Sequence, residues 1–322
     1  MDSFAGGLCA LGSAVIWAFS ATFMTAPARV YGGRATNLFK STVGAAFFLL
    51  TVTIWLGPNA LHLPFPVWCR FLGSGILGLA IADTAYLTAL RHIGPSLTAI
   101  VYQTSGIFTV ILGITVLNER LTGFEVAGIA LVIGGVLLAV LGSPRTAASS
   151  REALPAATVV GPAGGPGHRF RGAIYALVAA AFHACGLVLN KSAFDELKES
   201  RGTEGLPAAM IAGCARMTVA AAALFLFGVL TRSVVRQTRV FREAAGWRAV
   251  FLPAFAGTFV AMITMQLSLT LLKSGVASVL LSMTPIFTIP VEWWILKQRP
   301  RLASILGGVI ALFGAYLLAR GR

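Results

Sequence analysis

Long apolar runs, separated by short polar or charged stretches, set the pattern of this chain. A helix of about 20 apolar residues crosses a hydrocarbon layer of roughly 30 Å. That ruler predicts ten segments, near 5–26, 36–57, 68–90, 94–117, 123–142, 172–191, 207–230, 248–272, 275–296 and 302–319. They are continuously apolar and not alternating, which predicts helices and argues against barrel strands. Asp2, with no Lys or Arg before the first run, predicts that this run is retained as a helix and not cleaved as a signal segment.

The stretch from Ser143 to Arg171 carries Pro144, Pro155, Pro162 and Pro166 and reads as a flexible linker. It divides the chain into a first five-helix repeat, 1–142, a linker, 143–171, and a second five-helix repeat, 172–322. The two parts match in order. Ser105-Gly106-Ile107-Phe108-Thr109 aligns with Thr284-Pro285-Ile286-Phe287-Thr288, Lys40-Ser41-Thr42-Val43 with Arg216-Met217-Thr218-Val219, and Ala10-Leu11 with Ala176-Leu177. Three helix pairs in the same order indicate internal duplication. Because five is odd, the second copy enters the membrane upside down, as in secondary transporters. The expected fold is an all-α polytopic membrane protein of about ten transmembrane helices in two inverted five-helix repeats.

Composition excludes the soluble alternatives. Of 322 residues, 57% are hydrophobic and 11% charged, against about 45–50% and about 25% in soluble domains. A cytosolic globular enzyme and a disordered regulator are both ruled out. The net charge of +14 does not point to nucleic acid, because the basic residues sit at the ends of apolar runs and read as membrane-surface anchors. Loops after odd-numbered helices hold most of them, which by the positive-inside rule places both termini outside the cytoplasm. Cys9, Cys69, Cys185 and Cys214 are isolated, so no zinc site or redox pair is expected.

The ten-helix plan, Val15-Ile16-Trp17-Ala18 in the first helix, and the stretch from Gly78 to Leu138 resemble the EamA-type transporters of the drug/metabolite transporter superfamily. Asn118-Glu119-Arg120-Leu121-Thr122 is the most specific piece, and the similarity spans nearly the whole chain outside the linker. The resemblance implies an alternating-access carrier of small metabolites, often an exporter of amino acids or related compounds. It also implies a multi-pass location, in the plasma membrane or bacterial inner membrane. Two departures stand out. Lys297-Gln298-Arg299-Pro300 replaces the glutamate motif in the second copy, and His183 stands where the first copy has Trp17. Members of that family more often keep both termini in the cytoplasm, opposite to the charge count, and orientation stays open.

Carriers of this design bind cargo near the midplane, between Gly- or Pro-interrupted helices at matching positions. Gln103, Thr104, Ser105 and Gly106 interrupt the fourth helix, and Thr284, Pro285 and Pro290 the ninth. Asp83 lies deep in the third helix, where a carboxylate needs an interior position and a partner. Tyr86, one turn on, is a candidate donor to it, and Asp83 is the candidate site for proton coupling. Lys40 and Arg216 occupy equivalent places and resemble the basic residue that family members often carry there. Either is a candidate for an anionic group of the substrate or for pairing with Asp83; for the shallower Lys40 snorkelling to the headgroups is the favoured alternative, and Arg216, set deeper, is the stronger candidate. Trp17, His183, Gln266 with Thr264, and Thr284 complete the candidate substrate-binding set, each weighed against a plain packing role. Glu292 beside Trp293 and Trp294 reads as interfacial.

Ala303, Gly307, Ala311, Ala315 and Ala319 in helix ten, and Gly123, Ala127, Gly135 and Ala139 in helix five, predict closely packed faces. They pack within the monomer or form a homodimer seam. No phosphate loop and no H-E-x-x-H motif occurs, so no catalytic residue, cofactor or metal is expected. The expected partners are a small-molecule substrate and the lipid bilayer. The leading reading is a secondary transporter. Its rivals are a nucleotide-sugar or organic-phosphate exchanger, with phosphate held by Lys297, Arg299 and Arg301, and a polytopic membrane enzyme acting on lipid-linked substrates.

Overall fold

The computed structural model describes residues 2–142, 166–288, 290 and 302–320, which form helices joined by turns and short irregular segments. The helices are α1 (Asp2–Tyr31), α2 (Gly33–Trp55), α3 (Phe65–Gly75), α4 (Ala82–Tyr102), α5 (Thr104–Val116), α6 (Gly123–Gly142) and α7 (Pro166–Arg201). They continue as α8 (Gly205–Leu230), α9 (Val234–Gln237), α10 (Arg239–Arg242), α11 (Ala244–Phe255), α12 (Ala261–Leu271), α13 (Ser274–Leu281) and α14 (Leu302–Arg320). Among the described residues six spans are long and apolar enough to cross a membrane, and four shorter apolar helices lie at 100–116, 123–139, 274–288 and 302–318. Together these are the ten segments the hydropathy pattern predicts. Residue 166 is already helical, inside the stretch read as linker; 143–165 and 291–301, with Glu292, Lys297, Arg299 and Arg301, lie outside the described residues.

The backbone is helical turn by turn from Ala82 to Tyr102, across the predicted loop near residue 93. The path nevertheless reverses there. On a straight helix the sixteen residues from Tyr86 to Tyr102 would span about 24 Å, yet their ring centroids are 4.9 Å apart. The third and fourth predicted helices are therefore an antiparallel pair joined by a continuous tight bend.

The halves interlock by exchange of partners. α1 packs on α11 and α12, and its counterpart α7 packs on α3 and α4. α2 crosses α8, α5 meets α13, and α6 lies along α14. The first two pairings are related by the repeat, α2 with α8 and α6 with α14 join helices to their own counterparts, and α5 with α13 joins the fourth predicted span to the ninth, as two inverted copies around a pseudo-twofold axis require.

Burial follows bilayer logic. Large apolar side chains such as Ile54, Leu230 and Leu302 point outward, while Ala10, Ala14 and Ala18 of α1 are fully buried. In lipid there is little hydrophobic drive between helices, so small residues that admit close backbones mark the interfaces. The α6–α14 seam is the tightest. A Cβ on Gly135 would lie 2.6 Å from the Gly307 carbonyl oxygen, and one on Gly314 would lie 2.8 Å from that of Gly128. Gly307, Ala311, Ala315, Gly135 and Ala139 are buried, as their spacing predicts, but Gly123 and Ala127 are exposed and Gly128 takes the place on the seam. Ser304 Oγ adds a 3.0 Å bond to the Ala139 carbonyl. These small-residue faces are occupied within the chain.

Two π segments interrupt the helices, Ile76–Ile81 before α4 and Ala256–Val260 before α12. They fall at matching places in the third and eighth spanning helices. A π turn widens the helix and changes which carbonyls are bonded, and it often occurs at functional positions. Gly78, Leu79 and Ala80 of the first and Gly257 and Thr258 of the second are buried.

Candidate functional site

The first π segment is held by α2. Asn37, fully buried, donates from Nδ2 to the carbonyls of Leu79 at 2.9 Å and Ala80 at 3.3 Å, and to Thr84 Oγ1 at 3.0 Å. The widened turn thus keeps its polar groups satisfied in a medium without water. One turn beyond Asn37, Lys40 Nζ donates to Asp83 Oδ2 at 2.5 Å, and both side chains are largely buried. Lys40 and Arg216 were both candidate partners for Asp83, with snorkelling favoured for Lys40. Of the two, Lys40 makes the pair, and its side chain is held there instead of running out along the helix.

In the second half Thr258, in the other π segment, donates to the Lys40 carbonyl at 3.1 Å and to the Ala254 carbonyl at 2.6 Å. Gly75 sits just as closely under the Arg216 backbone, where a Cβ would lie 2.7 Å from the Arg216 carbonyl oxygen. The backbone of each basic residue is thus held by the other half of the molecule or by a neighbouring helix. Their side chains do not share a chemistry.

Arg216 is 1% exposed. Its Nη1 donates to Gln266 Oε1 at 3.0 Å, and Asn190 Nδ2 donates to the same oxygen at 2.8 Å. Arg216 Nε, Gln266 Nε2, Asn190 Oδ1 and the nearby His183 Nδ1 are buried with no hydrogen-bond partner. Asp83 is within electrostatic reach of both Arg216 and His183, but its ion pair is with Lys40. The guanidinium is a buried charge with only neutral hydrogen-bond partners, an arrangement that is costly until an anionic group approaches.

Aromatic rings run from α4 to α7. Tyr86 meets Tyr102 at 4.9 Å, and Tyr102 meets His183 at 5.5 Å between ring centroids. No hydrogen bond joins Tyr86 to Asp83 among the described residues. Gln103, at the break between α4 and α5, donates from Nε2 to the Ser282 carbonyl at 2.7 Å. Helix geometry lapses at 282–283 and resumes at 284, so the second break falls just before the predicted Thr284 and Pro285, which are themselves helical, and the Gln103 bond joins the two breaks.

The remaining candidates are committed to the fold. Trp17 Nε1 donates to the Gly257 carbonyl at 2.8 Å, and so ties α1 to the second π segment instead of facing His183. Thr284 Oγ1 bonds the Leu281 carbonyl at 2.8 Å, and Thr264 Oγ1 the Ala261 carbonyl at 3.0 Å, each within its own turn. Ser105 is buried at the start of α5. The sequence reading missed Asn37, Asn190 and Tyr102. Each is a polar group inside an apolar run, and Asn190 was hidden by the charged residue that follows it.

At the far end of α5, the Asn118–Thr122 stretch ties the two halves together. Asn118 takes a left-handed φ of 54°, turning the chain so that Glu119 accepts from the backbone N–H of Ser274 at 2.6 Å and of Gly275 at 3.3 Å. Glu119 thereby caps the N-terminus of α13 from the other half, where a carboxylate also suits the helix dipole. Thr122 and Glu125 form a capping box at α6, with bonds of 2.6 and 3.3 Å. Lys273 Nζ lies 2.7 Å from each Glu125 oxygen and from the Arg120 carbonyl. Arg70 and Glu196 add an ion pair of 2.6 Å between α3 and α7.

The EamA-like transporter family model matches residues 4–141 and 170–320. That family consists of membrane transporters, not of enzymes. No curated protein matches the chain. A protein of known crystal structure superposes with a TM-score of 0.71 over 98% of this chain and 97% of its own length, at 18% sequence identity, a likeness of fold alone.

Proposed function

The chain belongs to the EamA-like transporter family, and we propose that it is a secondary carrier exporting a small polar or amphipathic metabolite, such as an amino acid or related compound. In this reading it works in the plasma or bacterial inner membrane. Two inverted halves rock about a midplane site, exposing it to each face in turn. The observation that carries the proposal is Arg216, a buried guanidinium with an unpartnered Nε beside unpartnered atoms of Gln266, Asn190 and His183. A cargo carboxylate would complete that constellation. Tyr86, Tyr102 and His183 supply aromatic surface for the rest of the cargo, and Gln103 and Ser105 stand where the broken helices meet. Asp83, paired with Lys40, is the group through which a proton would be exchanged for cargo.

The test is metabolite profiling inside and outside cells expressing wild type, Arg216→Ala or Arg216→Lys at equal membrane level. Compounds that accumulate outside with wild type should fall by about tenfold or more with Arg216→Ala, the scale of a lost charged hydrogen bond. Lysine should restore little, because it lacks the planar fork. An unchanged profile between wild type and empty cells, or full activity in Arg216→Ala, would defeat the proposal.

A further inference from the structure

A second polar concavity lies away from the central site. Between α8 and α11 the chain folds into the two short helices α9 and α10. Arg232, Arg236, Arg239 and Arg242 line one cavity there, of about 570 Å³, together with Thr231 and Glu243. All four arginines are exposed. Only Arg239 is paired: its Nε donates to Glu243 Oε1 at 2.6 Å. Arg232, Arg236 and Arg242 have no ion pair among the described residues.

The location is the end of the spanning helices. Leu230 closes α8, Glu243 precedes α11, and Tyr31, the last residue of α1, donates to Glu243 Oε2 at 2.9 Å. Leu230 and Val235 beside the cavity are 73% and 68% exposed, and Trp247 donates from Nε1 to the Phe241 carbonyl at 3.0 Å. Exposed apolar side chains, a tryptophan and unpaired arginines at one level are the makeup of a segment seated in the headgroup layer. Guanidinium groups match phosphate oxygens in geometry and charge.

We propose that this cavity binds a phosphate group, supplied by the headgroup of an anionic phospholipid. Arg232, Arg236 and Arg242 receive its oxygens while the acyl chains lie along Leu230 and Val235. Arg239 is already held by Glu243, and through that carboxylate and Tyr31 the site is braced to the first half of the molecule.

The test uses the full chain in zwitterionic detergent, titrated with phosphatidylglycerol, phosphatidylcholine or soluble glycerol phosphate, and followed by native mass spectrometry. Wild type is expected to retain phosphatidylglycerol in preference to phosphatidylcholine. The double variant Arg236→Gln/Arg242→Gln should weaken that retention roughly 30-fold, from the usual contribution of each basic residue at an anionic surface. Arg201→Gln, at the opposite helix ends, should leave it unchanged. Displacement of the lipid by comparable concentrations of glycerol phosphate would keep the phosphate site and assign it to a soluble ligand. Equal retention of both lipids, or equal loss in the Arg201→Gln control and the double variant, would overturn the proposal. Because the substituted arginines are exposed, an unchanged elution profile on size exclusion confirms that any loss is not misfolding.

Discussion

Gln103 donates to the carbonyl of Ser282 at 2.7 Å, and the two residues hold corresponding positions in the two repeats. A contact between counterparts can form only where the pseudo-twofold axis passes, so this bond marks the axis at the level of both helix breaks. A second pair of contacts obeys the same relation with donor and acceptor exchanged. Ser20 donates to the Pro253 carbonyl at 2.8 Å, and Ser74, the counterpart of Pro253, donates to the carbonyl of Gly186, the counterpart of Ser20, at 2.5 Å. The geometry of the repeat has been kept while its chemistry has drifted. The same drift gave Lys40 a carboxylate partner and left Arg216 with amides.

The Lys40–Asp83 pair separates a structural role from a transport role. Removing one partner of a buried pair leaves the other charge uncompensated and costs on the order of 3 kcal/mol. Asp83→Asn and Lys40→Met should therefore each lower thermal stability in detergent, and the double variant should lose less than the sum of the two. If Asp83 carries a proton, the double variant regains stability but not export. Recovery of export in the double variant would reduce the pair to a brace between α2 and α4.

Glu119 caps a helix of the opposite half, so its loss should act on α13 and not on its own loop. Glu119→Ala removes both acceptors and should cost about 1 kcal/mol of stability, read as faster hydrogen exchange at Ser274 and Gly275. Glu119→Gln keeps an acceptor and should lie between wild type and alanine. Unchanged exchange in Glu119→Ala would show that water or a neighbouring carbonyl satisfies those amides equally well.

Much of this was legible in the sequence, and the reasons are physical. Apolar runs of bilayer length leave helices as the only solution, and the alignment of Ser105 with Thr284 located the breaks that Gln103 and Ser282 join. The stretch at Asn118 stood out as specific, though its cross-half contacts could not be read from one strand of text. What stayed hidden depends on helix rotation. Nothing in the periodicity shows that Ile76–Ile81 winds as a π segment, nor which of the two basic residues offered to Asp83 is the one that meets it. Likewise Trp17 and His183 align by position, but one is spent on the Gly257 carbonyl and the other faces Tyr102.

The α6–α14 seam is predicted to tolerate no side chain at its crossing. A Cβ on Gly128 would meet the Gly314 carbonyl oxygen at 2.9 Å, and one on Gly135 would meet that of Gly307 at 2.6 Å, so the obstacle is backbone and cannot rotate away. Gly135→Val should lower stability by 1–3 kcal/mol, the usual scale of overpacking, or about that much more where backbone must move. Gly134→Val, on the exposed side of the same helix, has nothing within 4 Å of its added Cβ and should be close to neutral. Equal melting temperatures for the two variants would contradict the seam.

The last prediction concerns pH at the opposite end of the molecule. Glu243 is held below the usual carboxylate range first by the hydrogen bond from Arg239 and then by that from Tyr31. A carboxyl group depressed in the folded state stabilises the fold above its unfolded pKa, about 4.3, and that contribution disappears as pH falls through the lower folded value. The link between α1 and α11 should thus be intact at neutral pH and loosen only below about pH 4. Hydrogen exchange at residues 240–247, corrected for intrinsic rates, should show protection falling over that range in wild type. In Glu243→Gln the same amides should be less protected at neutral pH and show no such transition. A wild-type profile that is flat down to unfolding would mean that the Tyr31–Glu243 contact does not hold the two halves together at this face.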